Sequence, residues 1–305
     1  MFPEDFISRI SRQKYLDAKS LVNALQEPSP VSIRFNELKW KLKPENSEQV
    51  PWCRTGYYLS SRPSFTLDPL FHAGCYYPQE ASGMFMEQVI KQLVDTSGYL
   101  RVLDLCGAPG GKSTHISSLI GRDSILVSNE VIRQRSSTLA ENIIRWGTSN
   151  TVVTRNDPSA FGRLPGFFDL MLVDAPCSGE GMFRDRIAVE EWSVGNTVLC
   201  AERQRRILAD IWPALKPGGI LIYSTCTFNP AENEENIKWL IGQEEAESLS
   251  IDITDFDGIT EMTAGGIQGY GFHPGKIKGE GLFVSVLRKK DGLRDRLRAS
   301  GKTGG

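Results

Sequence analysis

The chain has 305 residues, 40% of them hydrophobic and 24% charged, with a formal net charge of -2. That balance suits one large α/β domain with a smaller flanking piece, and it excludes a disordered or fibrous chain. Six cysteines without a Cys-x-x-Cys pair, and only three histidines, exclude a zinc framework and a disulfide-dense secreted scaffold.

No metal is therefore expected. With no signal peptide and no long apolar run, a cytoplasmic setting without a membrane partner is expected. Charge is uneven along the chain. From Glu232 to Asp257 acidic residues outnumber basic ones nine to one, whereas the tail after Leu287 is basic.

Phe6, Ile10, Leu21 and Leu25 have helical spacing, so a helix is predicted over 6–25, stopped by Pro28 and Pro30. Val31 to Phe35 alternates like a strand, and 50–68 is turn-rich and aromatic. Here Arg34, Lys39, Lys41, Lys43 and Arg54 alternate with Phe35, Trp40 and Trp52, which fits either a stacking and phosphate surface or a solvated face over a small core. From Pro78 the pattern repeats. Helices are predicted near 80–94, 112–119, 133–145 and 199–215, and strands at 101–105, 124–128, 151–153, 169–173 and 219–223. Such alternation argues for a doubly wound parallel sheet. Gly265 to Arg288 breaks it and reads as a final hairpin that places one antiparallel strand in the sheet.

The turn after the first of these strands is Asp104-Leu105-Cys106-Gly107-Ala108-Pro109-Gly110-Gly111-Lys112-Ser113. A tight structural turn is one reading. A P-loop is another: Gly111-Lys112-Ser113 fits it, but its first glycine falls on Cys106. A dinucleotide G-x-G-x-x-G fails on spacing. The third reading is an adenosyl-cofactor site, which needs acids at successive strand ends. Glu130 follows the second strand, Asp157 the third and Asp174 the fourth.

Two cysteines also stand at strand ends, Cys177 in Asp174-Ala175-Pro176-Cys177 and Cys226 in Ser224-Thr225-Cys226-Thr227. Cys53, Cys75 and Cys200 read as inert buried residues. A thiolate that adds to carbon 6 of a cytosine turns carbon 5 into a nucleophile. An acid on the base edge and a second thiol or base complete the cycle. Asp174 suits the acid. These grounds fit both cysteines and do not rank them.

In order from Tyr76 to about Lys290, several segments resemble the Nol/Nop/Sun family of RNA 5-methylcytosine methyltransferases. They are Tyr76-Tyr77-Pro78-Gln79-Glu80-Ala81-Ser82, the Cys106 to Lys112 loop, Asn129-Glu130, Asp157, Asp174 to Gly181, Thr225-Cys226-Thr227 and Gly279-Glu280-Gly281. The resemblance implies a Rossmann-like class I methyltransferase fold, with a mostly parallel seven-stranded sheet containing one antiparallel strand and a small N-terminal α+β region. It implies an RNA-recognition region at 1–76, a methyltransferase domain at 77–290 and a basic, disordered tail at 291–305. It implies S-adenosylmethionine held by Cys106, Gly107, Ala108, Pro109, Gly110, Gly111, Lys112, Glu130, Asp157 and Asp174. Arg135 is a further cofactor candidate or an ordinary surface arginine.

The same resemblance makes Cys226 the nucleophile and Cys177 the residue that assists product release. Amino-methylating relatives carry an aromatic after Pro-Pro where this chain has Ala-Pro-Cys, which disfavours exocyclic nitrogen as the target. The expected substrate is ribosomal RNA, with transfer RNA as the alternative and no obligate protein partner. A P-loop nucleotide hydrolase and a non-catalytic RNA-binding assembly factor are the rivals from other classes. Within the family the chain resembles the bacterial ribosomal branch with a short N-terminal region, whose members usually carry a further C-terminal RNA-binding domain. Here the chain ends soon after the last predicted strand, so either it is a fragment or the N-terminal region and basic tail grip the RNA.

Overall fold

A computed structural model describes residues 2–41 and 47–291. Lys43 and the tail beyond Asp291 lie outside the described residues. The first apolar pattern makes two helices rather than the one expected over 6–25: α1 (Glu4–Ile10) and α2 (Ala18–Gln26). Ser11 Oγ donates back to the Ile7 carbonyl, and Asp17 accepts from the Ser20 amide and caps α2. Such a cap starts a helix afresh. Phe6, Ile10, Leu21 and Leu25 still share one apolar cluster, which packs on Phe183 and Phe228.

Next, β1 (Val31–Phe35), β2 (Glu48–Gln49), β3 (Gly56–Leu59) and β4 (Tyr76–Pro78) form an antiparallel sheet in the order β2-β3-β1-β4. The short α3 (Pro69–His72) precedes β4. This sheet continues to Pro78, past the division expected at 76. Alternation along β1 sends Ile33 and Phe35 into a cluster with Tyr57, Cys75 and Tyr76. Part of the possible stacking surface faces inward. Arg34, Phe35 and Trp52 are interior, Lys39 Nζ donates to the carbonyls of Ala73 and Arg145, and Arg54 pairs with Glu37.

The helix expected over 80–94 starts late. Glu80 accepts the amides of Ser82 and Gly83, so a short 3-10 turn comes before α4 (Met86–Leu93). Then follow β5 (Arg101–Asp104), α5 (Gly111–Leu119), β6 (Ile125–Asn129), α6 (Arg133–Trp146), β7 (Thr151–Thr154) and β8 (Phe168–Asp174). After these come α7 (Arg186–Glu191), α8 (Val194–Ile211), β9 (Leu215–Thr225), α9 (Glu234–Gln243), β10 (Ala246–Leu249), β11 (Thr260–Ala264), β12 (Ile267–Phe272) and β13 (Leu282–Lys289). The helix expected over 199–215 is α8, which begins earlier and stops at Ile211, just before Pro213.

The second sheet runs β11-β12-β13-β9-β8-β5-β6-β7, with β10 also on β13. From β7 to β9 the strands are parallel, and β13 lies antiparallel beside β9. Among the described residues the sheet has nine strands rather than the expected seven, and four of them, β10 to β13, pair antiparallel rather than the expected one. Gly265 and Gly266, at φ of 60° and 85°, close a tight β11–β12 hairpin. β10 pairs with the end of β13 that β12 does not reach. Successive residues feed opposite faces: Val102, Leu170 and Ile222 join one core cluster, Leu103, Met171 and Leu221 the other. This explains why the strands read as continuous apolar runs. β5 has β6 on one side and β8 on the other, so the crevice at its carboxyl end is the topological switch point. No helix among the described residues is long and apolar enough to cross a membrane.

Candidate active site

A cleft of about 460 Å³ opens at that switch point. Of the residues expected in the site, Cys106, Gly107, Ala108, Pro109, Gly111, Lys112, Asp174 and Cys226 line it. The loop after β5 is tightly built. The Gly107 amide donates to the Asn129 carbonyl at 2.7 Å, and a Cβ on Gly107 would meet Ser128 Oγ at 2.4 Å. Gly110 has φ of 116° and caps α5, a conformation that favours glycine. Asp104 is fully buried and accepts from Ser113 Oγ at 2.5 Å; burial raises its carboxyl to about 7.

Glu130, at the end of β6, is 3% exposed. Its Oε1 accepts the Ile132 amide, and its Oε2 is buried with no hydrogen bond, facing Arg135 in an ion pair at 3.3 Å. Arg135 also donates to the Ala108 carbonyl, so it ties Glu130 to the loop. Asp157 is placed differently. It is exposed, caps the turn that starts at Pro158 and accepts the amide and hydroxyl of Ser159, which hold its carboxyl below the usual range.

Asp174 stands at the tip of β8. Lys112 Nζ donates to its Oδ2 at 2.8 Å and Ser224 Oγ to its Oδ1 at 2.7 Å. Burial opposes the charge on Lys112, but Asp174 outweighs it, with Cys226 adding, and Lys112 is held above its ordinary value. Cys226 shares this wall of the cleft, and Cys177 lies behind it. Their sulfurs are 2.9 Å apart, and the Cys226 amide points at Cys177 Sγ at 3.3 Å. Contact with Cys226 and burial push Cys177 well above the usual thiol range.

The loops that hold the thiols rest on carboxylates that sequence reading missed. Glu232, buried, accepts from the Ser178 amide and hydroxyl and from Gln204. Glu180, also buried, accepts the Phe228 amide and the Trp192 indole and pairs with Arg9 of α1. Glu80 joins the amides of Ser82, Gly83 and Glu280. Glu80 and Glu180 stand in motifs that carried the resemblance, yet nothing in their spacing signals a buried acceptor.

A second cluster, Cys53, Glu87 and His115, is buried at the back of α4 and α5. His115 Nε2 lies 3.3 Å from Glu87 and 3.8 Å from Cys53. Burial would raise Glu87, but His115 and Lys91 bring it well below the carboxylate range. Burial and Arg34 lower His115 to about 4, and burial and Glu87 raise Cys53 to about 12. Lys91 and Arg34 thus already surround one carboxylate with two cations, which disfavours a further cation there.

Residues 92–288 match the family model of 16S rRNA methyltransferase RsmB/F, and residues 2–81 match that of the N-terminal domain of 16S rRNA methyltransferase RsmF. Ribosomal RNA small subunit methyltransferase F of Pectobacterium atrosepticum is 36% identical over 302 residues, covering 90% of this chain and 59% of that protein. Its namesake in Vibrio atlanticus is 35% identical, with 94% and 64% covered. The chain therefore spans about three fifths of the length of these curated relatives. Among solved structures, a methyltransferase homolog protein from Pyrococcus horikoshii aligns with a TM-score of 0.79 at 28% identity, covering 94% of this chain and 95% of that one. NSun6 from the same organism aligns with a TM-score of 0.78 at 20% identity, covering 94% and 98%. The shared architecture is the expected Rossmann-like class I methyltransferase fold.

Proposed function

The chain belongs to the 16S rRNA methyltransferase RsmB/F family, and from that premise we propose that it methylates carbon 5 of a cytosine in ribosomal RNA, using S-adenosylmethionine. One observation carries the reading: Cys226, Asp174 and Lys112 share the wall of a cleft floored by the glycine loop. The residues present fit the cofactor. Glu130 Oε2 is buried and makes no hydrogen bond beyond its ion pair with Arg135, which suits ribose hydroxyls, and the amides at the start of α5 suit a carboxylate. Cys106 to Lys112, Arg135 and Asp174 complete the binding set, with Asp157 at the adenine end.

When bound, S-adenosylmethionine supplies the methyl group as an electrophile. The Cys226 thiolate forms a bond to carbon 6 of the extruded cytosine, and the displaced π electrons reach carbon 5. Asp174 holds the base edge, and Lys112 keeps Asp174 in place. After carbon 5 gains its methyl, solvent takes the carbon-5 proton, the freed electron pair re-forms the C5–C6 double bond and the sulfur–carbon bond breaks; the Cys177 thiol hands a proton to the departing Cys226 sulfur and regains it before the next cycle. One proton is released per methyl transferred. The N-terminal region and the basic tail would grip the RNA, and the setting would be cytoplasmic.

The test is titration with S-adenosylmethionine and with ATP–magnesium, then methylation mapping of RNA from a strain lacking the protein. Cofactor binding with one unmethylated rRNA cytosine is expected. ATP–magnesium binding alone would make the protein a hydrolase. A lost methyl in transfer RNA would move the substrate class. Cofactor binding with every cytosine intact would leave an assembly factor.

A further inference from the structure

The small N-terminal sheet reaches the cofactor loop through one side chain. Arg34, on β1, is 0% exposed. Its Nε donates to Gln79 Oε1 at 2.8 Å, and its Nη2 donates to Thr114 Oγ1 at 2.6 Å and to the Gly111 carbonyl at 3.4 Å. Its guanidinium lies 4.3 Å from the ring centre of Trp146. Nη1 is buried with no hydrogen-bond partner among the described residues.

Packing alone does not explain this choice of residue. Burying a guanidinium without a carboxylate partner costs roughly several kcal/mol. The cation also sits beside the N-terminus of α5, where the helix dipole repels it. An apolar side chain of similar length would cover Trp146 without either penalty. What an apolar side chain could not do is hold Gly111 and Thr114. Thr114 Oγ1 in turn donates to the Gly110 carbonyl at 2.8 Å. Arg34 therefore engages, directly or through one hydroxyl, the carbonyls on the back of the turn whose front lines the cleft.

Neighbours reinforce the grip. Asn142 Nδ2 donates to the Pro109 carbonyl at 2.6 Å and lies 3.3 Å from the Tyr77 hydroxyl. Asn36, next to β1, donates to the Trp146 backbone carbonyl at 2.8 Å, and the Trp146 indole donates to Ser118 Oγ at 3.2 Å, which holds the ring beside Arg34.

We infer that Arg34 is a positioning residue for the cofactor loop, so that the N-terminal sheet forms part of the frame of the S-adenosylmethionine site. This rests on the function proposed above. It touches neither cofactor nor RNA. It holds Gly110 to Thr114 in the shape that presents the first amides of α5 to the cleft, and it makes cofactor affinity depend on a region assigned to RNA.

The experiment measures S-adenosylhomocysteine binding by calorimetry on the full chain at about 25 °C, together with the KM for RNA. Arg34→Gln should weaken cofactor binding about 10- to 100-fold, as expected when charged hydrogen bonds to the loop are lost, and leave the RNA KM within about twofold. Arg34→Lys should fall between the two, because an ammonium cannot stack and reach both acceptors at once. Thr114→Val should weaken cofactor binding in the same direction, and the double variant should be no weaker than the worse single one. Thr114→Val also carries the test if Arg34→Gln fails to fold. Folded variants with a lowered Tm but unchanged cofactor affinity would overturn the inference, as would a raised RNA KM at constant cofactor affinity. Wild-type protein that does not bind S-adenosylhomocysteine would overturn the function itself, which is a separate result.

Discussion

The two halves of the cleft are built by different means. The cofactor half is mostly backbone: a glycine turn whose carbonyls and amides are held from behind by Arg34, Asn142 and Asn129. The thiol half is mostly side chain: Cys177 and Cys226 sit on loops pinned by the buried carboxylates Glu180 and Glu232. The backbone half presents donors and tolerates little change in shape. The carboxylate half fixes a pair of sulfurs in contact. The proposed reaction, which needs a rigid cradle and two neighbouring thiols, would be served by that division.

The largest effect should come from the sulfurs. Cys226→Ala should cut methyl transfer by at least about 10³-fold. Cys177→Ala should instead accumulate a covalent RNA adduct on a denaturing gel, and the double variant should give none. An adduct that survives loss of Cys226 but not of Cys177 would reverse the roles. Next, Glu232→Ala strips the acceptor from Ser178 and Gln204. Leaving buried donors unsatisfied should cost about 1–3 kcal/mol in chemical denaturation, with cofactor affinity unchanged. A loss of cofactor affinity equal to the loss of stability would show that the halves are not separable.

Each half holds one buried histidine whose protonation should work against the fold. His115 lies behind the cofactor half, and His273 packs against Phe228 in the thiol half. Burial lowers each from 6.5 to about 4, with Arg34 assisting at His115 and Lys276 at His273. At these two sites the folded state binds fewer protons than the unfolded chain, so they lower stability as pH drops below 6.5 toward 4, while Asp104, raised by burial to about 7, opposes them in the same window. By about pH 5.5 each histidine should cost about 1 kcal/mol. Melting temperatures across that window check this: His115→Gln should lose less stability on acidification than the wild type.

The smallest effect separates two acids of the cofactor half. Glu130→Gln should weaken S-adenosylhomocysteine binding about tenfold, and Asp157→Ala by less than about threefold, a difference under 1 kcal/mol for the latter. Equal losses in calorimetry would place Asp157 fully at the adenine.

Much of this was legible in the residues. The five parallel strands were, because each is buried on both faces and reads as a short apolar run between helical stretches. The positions of the glycine loop, Glu130, Asp174 and both cysteines at strand ends were, because each follows directly on one of those apolar runs. Less visible were the break between α1 and α2 and the strands β10 and β11, which depend on a cap and on a free stretch of sheet edge. Glu232 shows the limit best. It stands in the stretch from 232 to 257 that reads as an acidic excess, yet it is 0% exposed and holds the Cys177 loop.

The sequence by itself determined the α/β alternation, the position of the cofactor turn and the presence of two thiols at adjacent strand ends. Only the tertiary structure decided that Cys177 and Cys226 stand in contact, that Asp157 caps a turn at the surface, and that Arg34 faces inward to the glycine loop. The reason is physical. Strand periodicity and turn chemistry are local, so the chain encodes them in neighbouring residues. Burial, proton affinity and the choice of hydrogen-bond partner depend on segments far apart in the chain, and they exist only once those segments have packed together.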